Sequence, residues 1–160
     1  MTKKCLFVAV NLPQEIKENL SCFKNNFPFR WVKKENLHMT LAFYGYTNQE
    51  DQIKEKLRGV FKDLKPFKVE IKRISFVSNR MIWALVETPK DFLSVVKKIN
   101  PEFIAHITLA RINKWQLNLE EMPLIDQDIS LKFKVDSIEL MQSRINSNYS
   151  IIEKFVLKND

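Results

Sequence analysis

The chain predicts an α+β fold: two pseudo-symmetric lobes, each with a mainly antiparallel sheet, the sheets lining a central cleft and the helices outside. Three observations predict it. Segments with an apolar residue at every second position, the mark of a half-buried strand, are interrupted by only three runs of helical periodicity. Strand-like segments on either side of Ser78-Asn79 and of Ser147-Asn148 are joined by turns short enough to make them antiparallel neighbours. One pentapeptide pattern occurs twice, once in each half: His38-Met39-Thr40-Leu41-Ala42 and His106-Ile107-Thr108-Leu109-Ala110.

In chain order, Lys4 to Leu12 is apolar on both faces and reads as a central buried strand. Pro13, whose missing N–H costs nothing at a helix start, opens a helix. Its inward stripe is Ile16, Leu20, Phe23 and Phe27, and Pro28 stops it. Arg30 to Val32 reads as a short strand, and Leu37 to Tyr44 as the first motif strand, ending at Gly45. Thr47-Asn48-Gln49-Glu50 offers a side-chain cap for a second helix, with Ile53, Leu57, Val60, Phe61 and Leu64 inward and Pro66 as the stop. Phe67, Val69 and Ile71 alternate with charged residues; the apolar phase then moves to Ile74 and Phe76, which predicts a bulge or bend near Lys72-Arg73. Arg80 to Val86 returns as a hairpin partner. Thr88-Pro89 starts a third helix with Phe92, Val95, Val96 and Ile99 inward, ended by Asn100-Pro101. Phe103 to Arg111 is the second motif strand, and residues 112–127 read as irregular. Ile129, Leu131, Phe133 and Val135 alternate, and a phase shift before Ile138 and Leu140 mirrors the one at 72–74. Tyr149 to Leu157 closes the chain as the return arm of a second hairpin.

With no linker or low-complexity stretch, residues 1–160 read as a single bilobal domain, expected to be a monomer. Hydrophobic content of 45% beside 28% charged residues is that of a globular chain, and no apolar run reaches membrane-span length. Asn11 and Pro13 interrupt the N-terminal apolar run too early for a signal peptide. Cys5 and Cys22 sit in apolar settings and read as buried free thiols, suited to a reducing cytoplasm. The net charge of +7 serves solubility or attraction to a polyanion.

Residues two apart on a strand share a face, so His38 and Thr40 point one way and Met39 and Leu41 the other; His106 and Thr108 repeat this. Each strand thus presents an imidazole and a hydroxyl about 7 Å apart. Facing each other, the two strands make a groove holding both histidines of the chain. No Asp, Glu or Cys stands beside either histidine, a poor set for a metal, so neither metal nor cofactor is expected.

The paired His-x-Thr motifs resemble those of the two-histidine (2H) phosphoesterase superfamily, in particular the LigT-like RNA 2′,3′-cyclic phosphodiesterases. The resemblance extends through Leu6-Phe7-Val8-Ala9-Val10-Asn11-Leu12-Pro13, Trp31 to Leu41, Phe43-Tyr44-Gly45, Phe103 to Arg111 and Ser137 to Ser143. This chain has Ala105 where the family usually has Pro, and Asn146-Ser147-Asn148 ahead of Tyr149 where it often has Gly. The resemblance implies a bilobal enzyme whose substrate is RNA with a 2′,3′-cyclic phosphate end, hydrolysed to a 2′-phosphomonoester. It implies His38 as proton donor and His106 as acceptor, and a basic residue at Arg111 that helps hold phosphate. In a regular strand Arg111, three residues past Thr108, would face away from the groove unless the strand end twists it back. Opening a cyclic phosphodiester needs a base for the attacking water and an acid for the leaving ribose oxygen, on opposite sides of phosphorus. Two imidazoles meet that need, and the Thr40 and Thr108 hydroxyls suit the non-bridging oxygens. Phe7, Trp31, Phe43 and Tyr149 are open to base stacking or core packing; Arg30, Lys33, Lys34, Lys72, Arg73 and Arg80 are open to flanking the groove or plain surface charge. Two other functions compete: cleavage or ligation of 2′,5′-linked RNA or oligoadenylate, and a non-catalytic RNA-binding module.

Overall fold

The structure, a computed structural model, describes residues 2–24, 29–78, 80–112 and 126–159. Nine strands and three helices follow in the order β1 (Lys4–Asn11), α1 (Gln14–Ser21), β2 (Arg30–Trp31), β3 (His38–Thr47), α2 (Glu50–Phe61), β4 (Phe67–Val77), β5 (Met81–Glu87), α3 (Lys90–Val96), β6 (His106–Arg111), β7 (Asp126–Val135), β8 (Ser137–Ser143) and β9 (Tyr149–Val156) among the described residues. They form two antiparallel sheets of order β3-β1-β8-β9 and β2-β6-β5-β4-β7, the α+β arrangement of two sheet lobes. β1 lies inside the first sheet, as its two apolar faces require.

The lobes are not the two halves of the sequence. β8 and β9 return to complete the first sheet, while β2, which precedes the first motif strand, pairs with β6 of the second. The two phase shifts that look alike in sequence have different structures. At Lys72 the shift is a bulge: the register slips between Ile71 and Arg73 toward both β5 and β7. At Asp136 the shift is a change of sheet: β7 pairs with β4 and β8 with β1 and β9, so residues 129–140 are not one hairpin arm. Moving between sheets exchanges the buried face, which in sequence has the same signature as a bulge.

Element ends differ from the sequence reading in several places. α1 stops at Ser21, and Phe23 reaches the core from the following turn; Phe27 and Pro28 lie outside the described residues, as do Asn79 of the hairpin turn and residues 113–125 of the irregular stretch. β3 continues through Gly45, whose φ of 68° accompanies a bulge that leaves Tyr44 unpaired between Leu6↔Gly45 and Phe7↔Phe43. The Thr47 hydroxyl accepts the Gln49 amide at 3.0 Å, just ahead of α2, whose N-cap residue is Gln49 itself. β6 starts at His106, with Phe103 buried ahead of it. Cys22, the C-cap residue of α1, is exposed and Cys5 is half-buried; both are free thiols, but the expectation that both are buried is met at neither.

A continuous apolar cluster joins the helices to the inner faces of both sheets, among them Leu6, Val8, Met39, Leu41, Leu57, Ile71, Ile107 and Leu140. Phe7, Ala9 and Met141 form a second, smaller cluster on the opposite face of the first sheet, the face turned to the cleft. No helix among the described residues is long and apolar enough to cross a membrane. α3 is fastened by Phe92, fully buried, with its ring stacked on Phe67 at 4.3 Å and edge-on to Phe103 at 6.3 Å. Phe92→Ala should therefore destabilise the protein by about 3–5 kcal/mol. Urea denaturation checks this; a midpoint unchanged from the parent would contradict the packing described.

Candidate active site

β3 and β6 come into contact where the two sheets meet, and their first residues are His38 and His106. Met39, Leu41, Ile107 and Leu109 are buried, so the opposite faces, carrying His38, Thr40, His106 and Thr108, are turned to the cleft. These four side chains, with Val32, Arg111 and Tyr149, line one cavity of about 50 Å³. All five residues singled out by the motifs are thus lining residues of the same small cavity.

Arg111 is there because β6 is not a regular strand. Against β5, Trp83 lies opposite Thr108 and Ile82 opposite Ala110, so Leu109 is an extra, bulged residue. The bulge shifts the alternation by one: Leu109 and Ala110 both stay buried, and Arg111 regains the face of His106 and Thr108. β3 has the same irregularity at the same place in its motif. Ala9 lies opposite Thr40 and Val8 opposite Ala42, leaving Leu41 as the extra residue. Phe43, in the position matching Arg111, is thereby paired with Phe7 on the cleft face and is 67% exposed.

Each imidazole is held by the backbone carbonyl two residues before it. His38 Nδ1 lies 2.5 Å from the Asn36 oxygen, and His106 Nδ1 lies 2.7 Å from the Ile104 oxygen. A carbonyl only accepts, so Nδ1 carries the proton in both rings and Nε2 is left for chemistry. His38 Nε2 is 2.9 Å from Thr40 Oγ1. Asn36 closes a 3₁₀ turn over Lys34–Asn36; its side-chain amide donates to the Ser147 carbonyl at 2.6 Å, and the Glu35 carbonyl accepts from the buried Lys17 ammonium at 3.0 Å. In the loop before Tyr149, Asn146 and Ser147 have φ of 67° and 58°. This is the left-handed conformation that a glycine adopts freely and that Asn tolerates.

The two rings differ in what packs on them. Phe7 lies 5.1 Å from the His38 ring and Tyr149 meets it edge-on at 5.3 Å. Trp83 stacks flat on His106 at 3.7 Å, with 18° between planes. Trp83 was not legible as a site residue: its alternation shows which face it occupies, but only the β5–β6 pairing places it beside Thr108. Of the other aromatics, Phe7 is buried in the cleft-face cluster and Trp31 packs against the main core. Lys72 and Arg73 are ion-paired on the second sheet, to Glu70 and Glu87 and to Asp126 and Asp128, and lie outside the cavity lining.

Burial pushes both imidazoles below their ordinary titration range. For His38 the Asn36 carbonyl opposes this, while the charges of Lys17, Arg111 and His106 push it lower still; for His106 the Ile104 carbonyl is the opposing influence. A lowered value means that the proton is lost earlier as pH rises, so each ring is neutral over a wider pH range than a free imidazole. Because the chain has two histidines, NMR of their Cε1–H signals resolves each one. Both midpoints should fall below about 6.5 and rise when inorganic phosphate is added, since an anion favours the charged ring. A midpoint at or above that value in the free protein would contradict the environment described.

The sequence pattern described as LigT like Phosphoesterase matches residues 10–83, a span that includes the first histidine motif. The chain is 30% identical over 169 residues to the RNA 2′,3′-cyclic phosphodiesterase of Methanocaldococcus jannaschii, covering 92% of this chain and 96% of that one. It is 24% identical over 161 residues to the protein of the same name from Thermotoga maritima, covering 84% and 86%. The fold matches that of E. coli LigT, solved in complex with phosphate, with a TM-score of 0.78 at 21% identity over 99% of this chain and 100% of that one. A Thermus thermophilus protein gives a TM-score of 0.73 at 23% identity, covering 96% and 97%. With a relative at 30% identity that spans nearly the whole of both chains, this protein belongs to the LigT-like phosphoesterase family.

Proposed function

We propose that the protein hydrolyses RNA 2′,3′-cyclic phosphate ends to 2′-phosphomonoester ends, without a metal, by paired histidine acid–base catalysis. The observation that carries this reading is the convergence of His38 and His106 on one cavity, each with Nδ1 bound to a carbonyl and Nε2 left for proton transfer. In this reading water attacks phosphorus on the side opposite the ribose O3′. The P–O3′ bond breaks, His106 takes the proton of the water, His38 gives a proton to O3′, and the phosphate remains on O2′. The choice of donor and acceptor follows the family resemblance. Thr40, Thr108 and Arg111 hold the non-bridging oxygens as charge builds on them. A phosphate entering the cavity favours the imidazolium that the donor role of His38 needs, because its negative charge opposes the burial and the Lys17 and Arg111 charges that disfavour the charged ring in the free protein.

Phe43 extends the site. It stands on the cleft face, exposed, across from the Phe7 ring that packs on His38, and offers a surface on which a base can stack. The names of the relatives from M. jannaschii and T. maritima support RNA as the substrate. The reading takes residues 1–160 as one bilobal unit, acting as a monomer in the cytoplasm.

The test is to incubate the purified protein, with chelator, with a short oligoribonucleotide bearing a 2′,3′-cyclic end, and to identify the product isomer. A 2′-phosphate is expected; a 3′-phosphate, or loss of activity in chelator, would contradict the mechanism. RNA binding without any product would favour a binding module instead. His38→Ala and His106→Ala should each lower kcat by about 10²–10⁴-fold, and kcat/KM should be bell-shaped in pH. A flat profile would remove the paired roles. Thr40→Val and Thr108→Val should each weaken phosphate binding, measured by calorimetry.

A further inference from the structure

Arg30 opens the two-residue strand β2 and lies directly opposite Arg111 of β6. Directly opposed residues on paired strands share a face. Arg111 lines the histidine cavity, so Arg30 stands on the same cleft face, one strand further out, about 4.8 Å away in backbone spacing. Two like charges facing each other across a strand pair repel. Two of the other arginines are matched with acids, Arg58 with Glu153 and Arg73 with Asp126 and Asp128, while Arg144 donates to the Ser150 hydroxyl. Among the described residues neither Arg30 nor Arg111 has a carboxylate within salt-bridge distance. Arg30 is exposed, its neighbour Trp31 packs inward, and Val32 lines the cavity, so the cleft face of this segment consists of an arginine followed by the wall of the site. Such a pair becomes favourable when an anion with more than one phosphate runs past it. A guanidinium suits this because it holds phosphate through two parallel hydrogen bonds.

We propose that Arg30 is a second phosphate-binding residue, holding the phosphodiester next to the terminal nucleotide while Arg111 serves the reacting phosphate. The inference rests on the hydrolase reading above and narrows its substrate class: oligoribonucleotide ends are preferred over mononucleotide cyclic phosphates. The step from Arg111 to Arg30 is then the step from one phosphate to the next along the strand.

The experiment compares kcat/KM for a trinucleotide with a 2′,3′-cyclic end and for a nucleoside 2′,3′-cyclic monophosphate, in the parent protein, Arg30→Gln and Arg30→Lys. In Arg30→Gln the ratio of trinucleotide to mononucleotide should fall about tenfold, the scale of one charge-assisted hydrogen bond. The slope of log(kcat/KM) against log[salt] for the trinucleotide should shrink by about 0.7, one phosphate contact on a single strand. Arg30→Lys, which keeps the charge, should restore the slope and part of the ratio. An equal loss on both substrates would place Arg30 on the reacting phosphate and overturn the proposal; so would an unchanged ratio. If the parent turned over neither substrate, the hydrolase reading would fall. Binding of a 3′-phosphorylated trinucleotide would then decide Arg30 separately: equal affinity in parent and Arg30→Gln counts against it, weaker binding in the variant supports it.

Discussion

The site depends on a single extra residue placed twice. A regular strand alternates strictly, so His, Thr and the residue five positions after His could not all share one face. The bulged Leu41 and Leu109 change the phase within each motif. Each strand then buries two successive apolar residues, Leu-Ala, and afterwards turns its next side chain back to the cleft. Core packing holds the bulge, because unwinding it would drive a leucine out of the apolar cluster, at a cost of about 1.5–3 kcal/mol for the side chain. The packing of the fold and the aim of the functional side chains are therefore one arrangement, used by both lobes for different purposes: a cation in one and an exposed aromatic ring in the other.

Within that symmetric frame the two imidazoles have different surroundings. Both are clamped by a carbonyl two residues back, which sets the same tautomer and leaves the same nitrogen for chemistry. His38 sits between Phe7 and Tyr149, touches Thr40, and feels the charges of Lys17 and Arg111. His106 has an indole stacked against it. An acid and a base need different proton affinities during one reaction, and groups with like chemistry acquire them through unlike neighbours. The approach of a phosphate anion acts on this balance directly, since its charge opposes the cations around His38.

Much of this was legible in the sequence, for physical reasons that particular residues make clear. The motif pair stood out because chemistry-bearing residues recur at fixed spacing on apolar strands, and β1 was readable as a central strand because both its faces are apolar. Arg111 was ambiguous because a bulge is a property of a strand and its partner together, and the partner, β5, is known only from the pairing. Trp83 and the Arg30–Arg111 opposition were hidden for the same reason. The change of sheet at Asp136 looks in sequence like the bulge at Lys72 because both shift the apolar phase by one residue, and only non-local pairing tells them apart. Local patterns report which face of an element is buried; they do not report what lies beside it.

The central claim is that imidazoles from two sheets act on a single phosphorus from opposite sides. It is tested most directly by a crystal structure with a nucleoside 2′,3′-cyclic vanadate, which mimics the five-coordinate species of in-line displacement. The account predicts His38 Nε2 and His106 Nε2 each within hydrogen-bond reach of a different apical oxygen, with Thr40, Thr108 and Arg111 on the equatorial ones. A complex in which one imidazole touches the vanadate and the other remains turned away would contradict it.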